Sequence, residues 1–261
     1  MKPIPIDAFD VFVSLVFVAV AIAAARWEKT REERPIAFAA VRAVAQLLLV
    51  GYVIEAVFGF ERLAVTAGFI GVMLAFATQI AAQRGAAVPG STPIAAVAIS
   101  VASVGVLVAM VALGIVPLQA RYLIPVAGML IGNSMSACAI TLRETGRDRT
   151  RSATEIETAL ALGATPRAAT GDARRRTMRA AIGPLIDATK AVGVVSLPGA
   201  MTGMILAGVS PLQAVQLQMI VMFMLLAATS LSVVVAVELS TARLFDEQAR
   251  LLPTSPDPAL P

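Results

Sequence analysis

The feature that most constrains this chain is where its charges are missing. Long apolar runs with at most two charged residues each recur along almost the whole sequence: Phe9–Ala25, Pro35–Phe58, Leu63–Ala81, Ile94–Leu113, Tyr122–Leu142, Leu185–Ala207 and Gln213–Leu239. About 20 apolar residues in a helix span the ~30 Å hydrocarbon core of a bilayer. A helix also satisfies its own backbone hydrogen bonds where no water can do so. The composition agrees: 58% apolar and 15% charged residues, against about half and about a quarter in soluble domains. The expected fold is all-α, a polytopic transmembrane helical bundle of about seven spans.

The first run competes with a signal peptide, since it ends in Ala-Ala-Ala. Asp7 and Asp10 against Lys2 reverse the basic start such a peptide needs, so an uncleaved span is expected. Arg42 and Gln46 share a face of span two, where Arg42 is expected to snorkel to the near interface. Glu55 is expected to pair with Arg62, and Asp187 with Lys190 one turn on. Gly128 and Gly132 sit four apart, a spacing that permits close helix approach. Pro198-Gly199 interrupts span six, either as a static kink or as an unwound stretch lining a path.

The connections on one side of such a bundle, 26–34, 82–93, 143–184 and the tail, carry sixteen Lys and Arg. The other side carries Lys2, Arg62 and Arg121. Basic loops stay in the cytoplasm, so the N-terminus is expected outside and the C-terminus inside, in a multi-pass protein of the cytoplasmic (inner) membrane. This asymmetry also accounts for the pI near 9.8 without a nucleic-acid partner. There is no histidine, which excludes imidazole chemistry. The single cysteine, Cys138, lies in an apolar run and reads as a small buried residue.

One polar island interrupts the pattern, 143–184, with nine arginines. Ser152-x-x-Glu155 and Thr154-x-x-Glu157 both have the form of a capping box, and Gly163 is a natural helix end. A helix is therefore expected over 153–162, with Ile156, Ala159, Leu160 and Gly163 on one face. Thr165-Pro166 is expected to start a second helix over 166–182, bringing Arg174, Arg175, Arg176 and Arg179 near anionic lipid heads. The first helix either lies on lipid or docks a soluble partner. Its small residues, with Glu155 and Glu157 beside them, favour docking.

Glu157-Thr-Ala159-Leu-Ala-Leu-Gly163 resembles the Glu-Ala-Ala-x-x-x-Gly coupling motif of ABC importer permeases, with Thr158 in place of the central Ala and without that motif's usual Leu-Pro. Four blocks in order, at 128–135, 157–166, 196–211 and 218–224, resemble the FetB-type iron-export ABC permease family, which also includes plant aluminium-tolerance permeases. The resemblance spans all seven runs and is strongest over 125–240. It implies a permease subunit exporting iron or a related metal species, assembled as two copies with two separate ABC ATPases. ATP and Mg would then belong to the partner chain. In agreement, the only lysines, Lys2, Lys29 and Lys190, stand in no P-loop context, so no cofactor or enzymatic activity is expected in this chain.

The residues expected at the ATPase contact are Glu155, Ile156, Glu157, Ala159, Leu160 and Gly163. The neutral polar groups and backbone break available for a transport path are Asn133, Ser134, Ser136, Pro198, Gly199, Thr202, Gln216 and Gln218. Met201, Met204, Met219 and Met222, with Met224 nearby, offer thioethers, although adaptable packing accounts for most of them. The permease domain is expected over 1–245 and a Pro-rich disordered tail over 246–261. Two other functions remain open: a secondary transporter or channel without an ATPase, and a non-transporting membrane scaffold.

Overall fold

The computed structural model describes residues 8–28, 33–59, 62–246 and 248–252. Ten helices account for nearly all of them: α1 (Ala8–Trp27), α2 (Glu33–Gly59), α3 (Leu63–Arg84), α4 (Ser91–Ala112), α5 (Ala120–Arg151), α6 (Ala153–Ala161), α7 (Pro166–Ala169), α8 (Gly171–Ala191), α9 (Gly199–Leu206) and α10 (Pro211–Ala242). The only β-type pairings among the described residues are two isolated bridges. Among the described residues, five helices are long and apolar enough to cross a membrane: α2 over Glu33–Tyr52, and α3, α4, α5 and α10. Val13–Trp27 in α1 is a shorter apolar stretch.

The chain divides into two units, residues 1–61 with 206–208, and 62–205 with 209–261. In the first, α1 packs on α2 along an apolar groove that includes Val18, Ile22, Val44 and Leu48. Arg42 and Gln46 are exposed on α2. The side chain of Glu55 lies outside the described residues, so its expected pairing with Arg62 does too.

The second unit is built on α3, α4, α5 and α10, which pack against one another. Its core is rich in alanine at the helix crossings: Ala77, Ala81, Ala95, Ala98, Ala127, Ala228 and Ala236 are all at most 4% exposed. Small side chains let membrane helices approach closely enough for dispersion contacts to hold them, because burial from lipid gives no hydrophobic gain. The expected glycine pair contributes little to this. Gly128 lies against Met73 of α3, but no atom outside its own helix approaches Gly132. A different glycine makes the tightest approach. Gly85 ends α3, and a Cβ there would overlap the Cβ of Leu142 on α5.

Two sequence boundaries are corrected. First, the polar island is not a separate element. α5 is a single helix of 32 residues, about 48 Å long, so roughly 18 Å extends beyond a ~30 Å hydrocarbon core; this extension carries 143–151. The island's other side belongs to α8, which runs unbroken through Pro184 into the apolar stretch. Second, the sixth apolar run is not one helix. α8 ends at Ala191, residues 192–198 are non-helical, and α9 begins at Gly199. Gly193 at φ +83° supplies the turn and Pro198 blocks re-entry until the next residue. Asp187 and Lys190 pair at 3.7 Å as expected, and both are exposed.

Candidate functional site

The polar end of the second unit gathers the C-terminal turns of α5, helices α6 and α7, the start of α8, the end of α10 and residues 244–252. α6 follows α5 after a one-residue break at Ser152. Ser152 is the N-cap residue, but neither expected capping box forms. Its hydroxyl makes no cap bond and instead accepts from Arg176 Nη2 at 3.1 Å. The reason is continuity: Ser152 N–H still donates to Asp148 O, and Ser152 O accepts from Ile156 N–H. Thr154 falls inside the helix rather than at its start.

The other end of α6 follows the sequence closely. Gly163 has φ +90°. Its N–H donates to Leu160 O at 2.9 Å, and the Ala164 N–H donates to Ala159 O at 3.0 Å. These are the two bonds of a Schellman cap, which favours glycine at this position.

Ile156 is the only buried residue of α6, at 2% exposure. It sits in a crevice whose remaining void is only about 20 Å³, lined by Thr145, Asp148, Arg149, Thr170, Ala173 and Leu244, among others. Ile156 therefore fastens the helix to its own chain and is not available to a partner. Of the other residues expected at a contact, Glu155, Glu157 and Gly163 are exposed, while Ala159 and Leu160 are half-buried. Leu162 was not singled out in the sequence, yet it is 84% exposed at the tip of the helix. Lying off the Ile156 face, it could have been found by asking which apolar residue the periodic face leaves out.

The arginines of the island are largely engaged within the protein. Arg167 of α7 pairs with Glu238 of α10 at 3.0 Å, and Arg174 of α8 pairs with the same carboxylate oxygen. Arg176 reaches Asp148 at 3.5 Å, and Arg175 pairs with Asp172 one turn away. The Arg175 guanidinium holds the Asp172 carboxyl below its ordinary range. Arg179 is exposed. Of the four arginines expected near lipid heads, Arg174 and Arg176 take part in an interhelical network with Glu238 and Asp148. The second helix also divides: Thr165 Oγ1 accepts from the Ala168 N–H as expected, but α7 stops at Ala169 and α8 restarts at Gly171.

The start of the tail folds back. Arg149, 3% exposed, donates to Leu252 O at 2.7 Å, and the Leu252 N–H donates to Leu244 O. The Arg250 N–H and guanidinium donate to Asp246 and hold its carboxyl below the usual range. The tail expected to be disordered from 246 is therefore hydrogen-bonded as far as 252, and 253–261 lie outside the described residues.

The path candidates do not form a single cluster. Ser134 and Gln218 are buried in the core of α5 and α10, where Ser232 Oγ donates to Ser134 O at 3.3 Å. Ser134 Oγ and Gln218 Oε1 have no hydrogen-bond partner among the described residues; the same holds for Ser103 Oγ on α4 and Thr229 Oγ1 on α10. Asn133 and Ser136 turn to another face of α5 and bond their own helix at Met129 O and Gly132 O. Gln216 is exposed. Pro198 lies in the α8–α9 break, with Gly199 and Thr202 on α9. The thioethers are divided too: Met201 and Met222 are buried, Met219 is 47% exposed and Met204 half-buried. Among the described residues no group of three or more His, Cys, Asp or Glu is placed to hold a metal ion.

The sequence as a whole has relatives. Residues 8–245 match the family described as "Uncharacterised protein family (UPF0014)". The chain is 40% identical over 215 residues to "UPF0014 membrane protein STAR2" of Oryza sativa subsp. japonica, covering 82% of this chain and 75% of the relative. It is 35% identical over 242 residues to "Protein ALUMINUM SENSITIVE 3" of Arabidopsis thaliana, covering 91% and 87%. It is 33% identical over 241 residues to "Probable iron export permease protein FetB" of Escherichia coli (strain K12), covering 92% and 93%. No solved structure matches. With all but the ends of the sequence matched and its long apolar helices in place, the chain is a multi-pass membrane protein belonging to the UPF0014 family of permease-type proteins.

Proposed function

We propose that this chain is the membrane subunit of an ATP-driven transporter, coupled to a separate ABC ATPase through α6. The observation that carries the reading is the construction of that helix. It is fastened by one buried residue, Ile156, ended by the Schellman turn at Gly163, and leaves Glu155, Glu157, Leu162 and Gly163 exposed. A nine-residue helix is marginal by itself, so its form depends on the body it is attached to. It therefore behaves as a rigid knob on the ends of α5 and α8. An apolar tip with acidic neighbours suits a groove in a soluble protein better than a lipid surface.

In this mechanism the ATPase binds ATP and Mg and its closure displaces α6. The displacement passes to α5 and α8 and changes access to a path through the core between α5 and α10, where Ser134 and Gln218 are the buried neutral polar groups. Irregular backbone such as 192–198 is stable at membrane depth only beside protein or water. Two permease copies with two ATPases, about seven spans each, and a cytoplasmic C-terminus complete the arrangement; the concentration of arginine at the α5–α8 end supports that sidedness. The cargo is iron or a related metal species, outward-bound, by similarity to the bacterial relative named a probable iron export permease. The test is co-purification with any ABC ATPase of the same cell, then ATP hydrolysis by that complex in lipid. The reading expects stable association and stimulation by ferrous iron. A chain that associates with no ATPase, or that transports alone on an ion gradient, contradicts it.

A further inference from the structure

Among the described residues, Glu238 is the one carboxylate joining α10 to the polar segments between α5 and the apolar part of α8. α6 leads directly into α7, and α6 packs on α7 more extensively than on α5. α7 carries Arg167, which reaches Glu238 Oε1 at 3.0 Å. α8 carries Arg174, which donates to the same oxygen and is the more buried of the two, with 14% of its side chain exposed against 76% for Arg167. Two guanidiniums on one oxygen make an asymmetric clamp, with one partner half-buried among the helices and the other exposed on α7.

The helix that holds Glu238 suits a lever. α10 has 32 residues, about 48 Å, and it packs on α4, α5 and α8. Its far half carries Gln216 and Gln218, and its middle carries Thr229 and Ser232. A displacement at Glu238 therefore reaches the polar part of the core through one unbroken helix. The neighbouring charges are already occupied: Asp148 is held by Arg176 and Asp172 by Arg175.

We propose that Glu238 is a positioning residue that transmits movement of α6 and α7 to α10, so that α10 moves with α5 and α8 in each ATP-driven step. The inference rests on the coupling role of α6. Neutralising Glu238 removes the charge that ties both α7 and α8 to α10 and leaves Arg167 and Arg174 repelling each other, so α7 and α8 lose their common attachment to α10.

The test uses the full chain with its ATPase in liposomes and ferrous iron as the probe, reading transport per ATP hydrolysed. Glu238→Gln is expected to co-purify with the ATPase and to lose at least about tenfold in iron moved per ATP; Glu238→Asp is expected to fall between it and the unsubstituted chain. Glu238→Arg alone should fail similarly, and combination with Arg174→Glu should recover most of the loss, which a merely packed residue would not show. Arg167→Gln, on the exposed side, gives a milder version of the same loss. If Glu238→Gln binds the ATPase and moves as much iron per ATP as the unsubstituted chain, the relay is overturned and the coupling role stands. If the unsubstituted chain binds no ATPase, the coupling role falls and the relay with it.

Discussion

Replacing Ile156 by alanine tests how α6 is held. Ile156 is 2% exposed and is the only buried residue of its helix. The substitution removes three carbons, about 2.4 kcal/mol of transfer free energy at ~0.8 kcal/mol per buried carbon. A cavity term follows, because the crevice around it leaves only about 20 Å³ of free space, so the volume vacated by the side chain is new void. The total belongs in the ~2–5 kcal/mol range of buried Ile→Ala changes. That loss is concentrated on nine residues with no other buried anchor, so it should open α6 locally and leave the body folded. At 1.4 kcal/mol per tenfold, the opening equilibrium of α6 rises by about 30-fold at the low end and about 4,000-fold at the high end. Hydrogen exchange on the full chain in detergent or lipid reads this directly. Amides of 157–161 should lose protection by at least the lower factor, and those of α4 and α10 should not change. Unchanged protection of α6, or equal loss throughout the second unit, would refute the single-anchor argument.

Three other outcomes follow from the same geometry. Gly163→Val places a β-branched side chain at φ +90° in otherwise open space. It should cost roughly 1–2 kcal/mol of local stability and sharply weaken ATPase association measured by co-purification, with membrane insertion unaffected. Gly85→Ala sets a Cβ against that of Leu142, so overpacking of about 1–3 kcal/mol should lower the thermal midpoint of the detergent-solubilised protein. The Asp246 carboxyl is held low by the Arg250 N–H and guanidinium, so its contribution is present above the unfolded carboxylate value of about 4 and lost as pH falls through the lower folded value. Amide protection at Gln248 and Arg250 should therefore be constant from about pH 5 to 8 and decline under acid.

The long helices were legible because a bilayer admits one pattern for them: each apolar run of α1–α5 and α10 can be read from missing charge alone. Gly163 was legible because only a left-handed turn explains a glycine there. The burial of Ile156 was half legible. Its periodic face was visible, but whether a face meets the chain's own body or a partner depends on tertiary packing. Ser152 and Thr154 both fit a local capping rule, which near-continuity of α5 into α6 overrides: Ser152 keeps its backbone bonds to both helices, its hydroxyl takes a bond from Arg176 of α8, and Thr154 falls inside α6. Arg167 and Arg174 read as basic surface because Glu238 is 71 and 64 residues away. The sixth run read as one span interrupted at Pro198-Gly199, by a kink or an unwound stretch; the break is an unwound stretch and begins earlier, where Gly193 turns the chain. The path residues were chosen by polarity, and polarity cannot distinguish the core side of α5, where Ser134 lies, from its exposed side at Ser136.

The central claim is that the tip of α6 meets an ATPase, and cross-linking tests it most directly. The chain has one cysteine, Cys138, which is fully buried, so a cysteine placed at Leu162 is the only accessible thiol. With Leu162→Cys in the full chain and a short thiol-to-amine reagent, the account predicts a covalent adduct with the co-purified ATPase. A complex that forms normally but gives no adduct at 162, while a cysteine at the opposite end of the helical body, such as Leu113→Cys, does give one, would contradict it.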